Sequence, residues 1–99
     1  MKPLPGLEVA NLESVPSPSL LVWPGRVQSN IERMIELCGG PERLRPHVKT
    51  HKMPPIAHLQ VTAGAVGVTA AKLGEAEVMT EAGIQDIFIA HLIVGEPKL

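Results

Sequence analysis

The chain has 99 residues, 44% of them hydrophobic, a formal charge of −1 and a single cysteine, Cys38. That length allows one small domain, the hydrophobic share excludes a disordered chain, and the charge excludes a globally basic nucleic-acid binder. One cysteine cannot form an internal disulfide, and no apolar run approaches the roughly 20 residues of a membrane span, so the expected compartment is the cytoplasm.

Pro3, Pro5, Pro16, Pro18 and Pro24 crowd the opening residues. Proline fixes φ and removes a donor, so residues 1–17 are expected to be an extended lead ahead of a domain over 18–99. Residues 19–23 form an apolar run of strand length. Pro24 then opens a helix carrying Val27, Ile31, Met34, Ile35 and Cys38 on one stripe, and Gly39-Gly40 end it. A strand follows over residues 44–50, a helix over 54–63, a strand over 66–71, a helix over 73–82 and a strand over 86–90. In the last helix Glu75, Glu77 and Glu81 are expected to face outward, with Leu73, Ala76 and Met79 inward. Alternating strands and helices with apolar strand interiors predict an α/β fold with a parallel sheet, of the kind that builds a (β/α)8 barrel. A closed barrel takes about 250 residues, so the expected fold is the first strands and helices of an incomplete barrel, the amino-terminal part of something larger.

The densest polar run is Arg45-Pro46-His47-Val48-Lys49-Thr50-His51-Lys52. On a strand, Arg45, His47, Lys49 and His51 share one face. Three readings of that row stand open: a solvated edge, a metal site on His47 and His51, and a reactive lysine. Four residues along a strand span about 13 Å, which disfavours a shared metal ion. A lysine among other cations suits attack on a carbonyl and recruits a phosphorylated ligand. His58 reads as a helix-surface residue and Cys38 as a small core residue. No G-x-G-x-x-G or P-loop is present, Asp86 is the sole aspartate and all four serines precede residue 30, so a Ser-His-Asp triad is hard to assemble.

The octapeptide over residues 45–52 closely resembles the cofactor-lysine segment of the D-threonine aldolase and D-serine dehydratase family. The likeness continues through Gly64-Ala-Val-Gly-Val-Thr-Ala-Ala-Lys-Leu-Gly-Glu-Ala-Glu77 and Ala82-Gly-Ile-Gln-Asp-Ile-Phe-Ile-Ala90, and includes Pro18-Ser-Leu-Leu-Val22. It implies an alanine-racemase-like pyridoxal-phosphate barrel with Lys49 as the Schiff-base lysine at the end of the first barrel strand. With that cofactor in view Arg45, His47, His51 and Lys72 are candidate cofactor-binding residues. Two readings stay open for Lys72, the rim of the site or a solvated helix start, and two for His51, beside the cofactor ring or bracing the strand, while His91-Leu92 departs from the family pattern. It further implies a lyase that cleaves β-hydroxy-D-amino acids to glycine and an aldehyde, acting as a homodimer in the whole protein. A divalent metal is implied too, its ligands and the phosphate-binding loops lying outside this chain. The aldolase is preferred to the dehydratase on overall similarity alone. Two alternatives stay open: a pyridoxal-phosphate-binding protein without lyase activity, and a small module that binds phosphate or nucleic acid through Arg45, Lys49 and Lys52. The 99 residues alone are expected to be inactive.

Overall fold

The computed structural model describes residues 9–95. Residues 1–8 of the expected extended lead lie outside them. Its described part carries a short 3-10 turn, Leu12–Ser14. Residues 19–23 do not form the expected strand: no backbone ladder engages them, and Leu20 stays 77% exposed.

Helix α1 spans Pro24–Cys38 with proline at its start, where the missing N–H costs nothing. Gly39 ends it at φ 87°, a left-handed conformation that a Cβ would strain, and the amides of Gly39 and Gly40 both donate to the carbonyl of Ile35. The expected stripe faces inward. Ile31 is buried, Val27, Ile35 and Cys38 are half-buried, and Met34 lies at the edge of the face. A 3-10 turn, Pro41–Arg43, then leads into the lysine segment.

Two parallel strands follow, β1 (Val68–Ala70) and β2 (Ile87–Ile89), in the register Val68↔Ile87, Thr69↔Phe88 and Ala70↔Ile89. On the other side of β1, residues 44–48 run parallel to it through a His47↔Thr69 bridge. Val66 N donates to Leu44 O, Thr69 N to Pro46 O and Val48 N to Thr69 O, at 2.8 to 3.1 Å. Three extended segments therefore lie in the order 44–48, β1, β2. Helix α2 (Pro54–Thr62) joins the first pair and α3 (Leu73–Glu81) joins the second.

Strand alternation decides the faces. Val48, Val68 and Ala70 point to the helices and pack with Ala57 of α2, Ala76 and Met79 of α3, and Ile84. Val48, Val68 and Met79 are fully buried, each worth about 1.5–3 kcal/mol of burial. On the opposite face His47 and Thr69 are half-buried and Phe88 is 57% exposed.

Two local expectations need correction. The lysine strand stops at Val48, because the amide of Lys52 closes back onto Val48 O at 2.8 Å and residues 49–51 form a turn. Glu75 faces inward and is buried, since its carboxylate caps the amino end of α3.

Candidate functional site

All three parallel segments deliver their carboxyl ends to one edge of the sheet. Lys49 and its turn follow the first, Ala71-Lys72 follow β1, and Ala90-His91 follow β2. Lys49 is exposed there, and no hydrogen bond or ion pair engages its Nζ among the described residues. Its backbone is well held: the amide of Lys49 donates to His47 Nδ1 at 3.2 Å, and its carbonyl accepts from Lys52 Nζ at 2.8 Å. A free amine on a tethered backbone is what a covalent attachment point needs.

Lys72 is also exposed at this edge, in extended backbone immediately before α3. A lysine side chain has no acceptor, so only the glutamate half of a capping box operates. Glu75 Oε1 accepts from Ala71 N at 2.9 Å and Lys72 N at 3.4 Å. Its Oε2 lies 3.6 Å from Lys52 Nζ. These donors, the Ala71 amide foremost, hold the Glu75 carboxyl below the usual carboxylate range against the opposing effect of burial.

Arg45 belongs to the other end of the sheet. Its Nη1 donates to Asp86 Oδ1 at 2.7 Å, in front of β2, and touches the carbonyls of Val68 and Asp86 at 3.4 Å. The hydrogen bond raises the arginine and lowers the Asp86 carboxyl from their ordinary values. Gly67 makes this crossing feasible: a Cβ there would lie 2.8 Å from Arg45 Nη1 and closer still to the Asp86 carbonyl oxygen. The expected file of four side chains on one face thus breaks into two ends, Arg45 at one and Lys49 at the other.

His51 turns toward the helices. Its Nδ1 accepts from Met53 N at 2.8 Å, and its ring lines a cavity of about 400 Å³ between α1 and α2, with Ile31, Met34, Ile56 and Gln60. Its Nε2 and the Oε1 of Gln60 are both buried without a hydrogen-bond partner. Burial pushes the imidazole below its ordinary range, and the proximity of Gln60 offsets part of that. His47 borders the same cavity while receiving the Lys49 amide.

The remaining candidates are simpler. His58 is exposed, as expected, and its Nε2 also donates to Ala82 O at 2.7 Å, tying α2 to the end of α3. Cys38 Sγ donates weakly to the carbonyls of Ile35 and Gly40. His91 is exposed. Among the described residues no cluster of three or more His, Cys, Asp or Glu side chains is placed to hold a metal ion, and no helix is long and apolar enough to cross a membrane. Sequence reasoning missed the pairing of Lys52 with Glu75, the first having been read only as a possible phosphate contact and the second as outward-facing. For Glu75 the signal was present, an acidic residue three positions after the residue that precedes a helix. For Lys52 the pairing carried no local signal, because Glu75 lies 23 residues further along the chain, although its other partners, Val48 and Lys49, are within four residues.

Comparison with known proteins agrees with this topology. The model of the alanine racemase N-terminal domain matches residues 23–97. D-threonine aldolase from Arthrobacter sp is 39% identical over 89 residues, covering 89% of this chain and 24% of that protein. D-threo-3-hydroxyaspartate dehydratase from Delftia sp. (strain HT23) is 42% identical over 80 residues, covering 80% of this chain and 21% of that protein. The crystal structure of D-threonine aldolase from Filomicrobium marinum superposes with a TM-score of 0.78 at 42% identity, over 85% of this chain and 23% of the other. The chain therefore spans about a quarter of the length of these relatives. Its α/β arrangement is part of an alanine-racemase-type barrel. The chain belongs to the alanine racemase N-terminal domain family.

Proposed function

We propose that the whole protein is a pyridoxal-phosphate-dependent lyase acting on β-hydroxy-D-amino acids, with Lys49 as the residue that carries the cofactor. One observation carries this reading: the Lys49 amine is exposed, and unpartnered among the described residues, at the edge where three parallel segments end, on a backbone held by His47 and Lys52. Barrel enzymes place their chemistry at that edge. The donor set suits the cofactor. A primary amine meets its aldehyde, and the exposed cation Lys72 at the same edge favours its phosphate.

When bound, the cofactor supplies a conjugated ring that takes up the electron pair left on the substrate's α-carbon. Lys49 anchors it, and once displaced by substrate the same Nζ is free to hold or pass a proton. His47 orients the lysine backbone, and His51 braces the turn against α1 and α2. Arg45 is engaged by Asp86 and is assigned a structural part at the opposite end. The domain division at residues 17 and 18, a homodimeric assembly, a cytoplasmic location and a divalent metal held outside this chain complete the proposal. So does inactivity of the 99 residues alone.

Cleavage of the Cα–Cβ bond is preferred, giving glycine and an aldehyde, in keeping with the aldolase likeness. The similar likeness to a dehydratase supports loss of ammonia as the second reading. Product analysis on β-hydroxy-D-amino acids separates them. Glycine and aldehyde formed by the whole protein, and lost in Lys49→Ala, support the aldolase. Ammonia and an oxo acid identify the dehydratase, and neither product overturns the lyase reading.

A further inference from the structure

Lys52 is the one described residue other than glycine with positive φ, at 53°. L-residues rarely adopt that conformation, and where they do the surroundings hold them there. Three contacts do so here, and a fourth fixes their partner Glu75. The Lys52 amide donates to Val48 O at 2.8 Å, closing a turn around Lys49, Thr50 and His51. Its ammonium donates to the carbonyl of Lys49 at 2.8 Å and pairs with Glu75 Oε2 at 3.6 Å. The other oxygen of Glu75 accepts from Ala71 N at 2.9 Å, where β1 hands over to α3.

The backbone carrying the unpartnered amine is thereby linked, through one ammonium and one buried carboxylate, to the end of the neighbouring strand. The arrangement is asymmetric in a useful way. Lys52 is 62% exposed at its side chain and Glu75 only 8%, so the carboxylate is the fixed post and the lysine the moving arm. A decorative surface pair would have no reason to bond the carbonyl of the residue that does the chemistry. Nor would a residue serving only the turn need an ammonium, since glycine or asparagine adopts that conformation with less strain.

We propose that Lys52 and Glu75 form a positioning pair that fixes the backbone of Lys49 and so aims its amine at the aldehyde of the cofactor. This deepens the lyase reading and rests on it. The pair touches neither cofactor nor substrate and acts through the carbonyl of Lys49.

Four variants of the full-length protein test it. Lys52→Gly keeps the left-handed backbone and removes the ammonium. Lys52→Arg restores the charge. Glu75→Gln keeps an oxygen for the Ala71 amide and removes the charge, and the double variant Lys52→Gly/Glu75→Gln reports coupling. The readouts are the rate of the visible imine band after adding pyridoxal phosphate, the circular dichroism of that band, and the thermal midpoint of the cofactor-free protein. Lys52→Gly and Glu75→Gln should each slow imine formation about tenfold and alter the dichroism, because small errors in aim are costly in rate. The double variant should be no slower than either single one, and Lys52→Arg should recover most of the rate while the thermal midpoint of Lys52→Gly stays near wild type.

Wild-type rate and dichroism in Lys52→Gly overturn the proposal, as does an arginine variant as slow as the glycine one. Slowing that merely tracks a fall in thermal midpoint overturns it too, by assigning the pair to stability. A wild-type protein that forms no borohydride-fixable adduct at Lys49 overturns the lyase reading and this inference together. An adduct lost in Lys49→Ala but indifferent to Lys52 and Glu75 sinks the inference alone.

Discussion

The two ends of the parallel sheet each hold an ion pair, and the pairs differ in kind. At the amino end Arg45 and Asp86 meet directly at 2.7 Å, over a glycine with no side chain to separate them. At the carboxyl end Lys52 and Glu75 stand 3.6 Å apart, and the lysine divides its donors between the carboxylate and the Lys49 carbonyl. The first closes a surface between segments 41 residues apart in sequence. The second leaves the neighbouring amine of Lys49 without a partner among the described residues. On the proposed reading, the first end serves stability and the second reactivity, the division expected of barrel enzymes.

The comparison breaks most severely at Gly67. Gly67→Ala would drive a methyl group into the Asp86 carbonyl and the Arg45 guanidinium, and backbone cannot move aside cheaply. A loss of about 3 kcal/mol or more is expected, visible as a collapse of the thermal midpoint while the Lys49 turn is untouched in sequence. Met79→Ala attacks the shared core beneath both ends, where Met79 is 1% exposed, and should cost about 2–5 kcal/mol in chemical denaturation. It should weaken both ends equally.

Acid should load the carboxyl end in two stages, through His51 and then through Glu75. His51 is lowered from its ordinary value of 6.5 by burial, so its neutral form belongs to the fold. The stability it contributes is present above 6.5 and is lost as pH falls from there through the depressed value, because the unfolded chain takes up the proton first. Glu75, lowered from 4.5, contributes above 4.5 and is lost as pH falls through its own depressed value. Thermal midpoints across the range should show two descending steps, and His51→Asn should flatten the upper one. The smallest effect is expected at Arg45. Arg45→Ala should lower the midpoint modestly and blunt its sensitivity to salt, because Asp86 is 60% exposed at its side chain and water screens the pair. It should leave pyridoxal-phosphate binding unchanged.

What was legible in the sequence was local. Pro24 and Gly39 bracket α1 with their own backbone preferences, and α2, α3 and both strands lie within their expected ranges because apolar periodicity and glycine stops are short-range signals. Lys49 stood out for its cationic neighbours and its family resemblance. The missed features are long-range. Nothing near Arg45 announces Asp86, and Gly67 resembles any loop glycine until both partners arrive. The strand reading of residues 44–50 failed after Val48 because a turn closed by Lys52 competes with the ladder. Glu75 was read as outward from helix periodicity, which the unsatisfied amides at the start of α3 override.

The central claim is that Lys49 is the cofactor lysine. The most direct measurement incubates the full-length protein with pyridoxal phosphate, reduces with borohydride, digests, and locates the pyridoxyl mass by peptide sequencing. The account predicts the modification on the Lys49 peptide, with Lys52 and Lys72 unmodified and the signal abolished by Lys49→Ala. A label on Lys52 or Lys72, or one that survives Lys49→Ala undiminished, would contradict it.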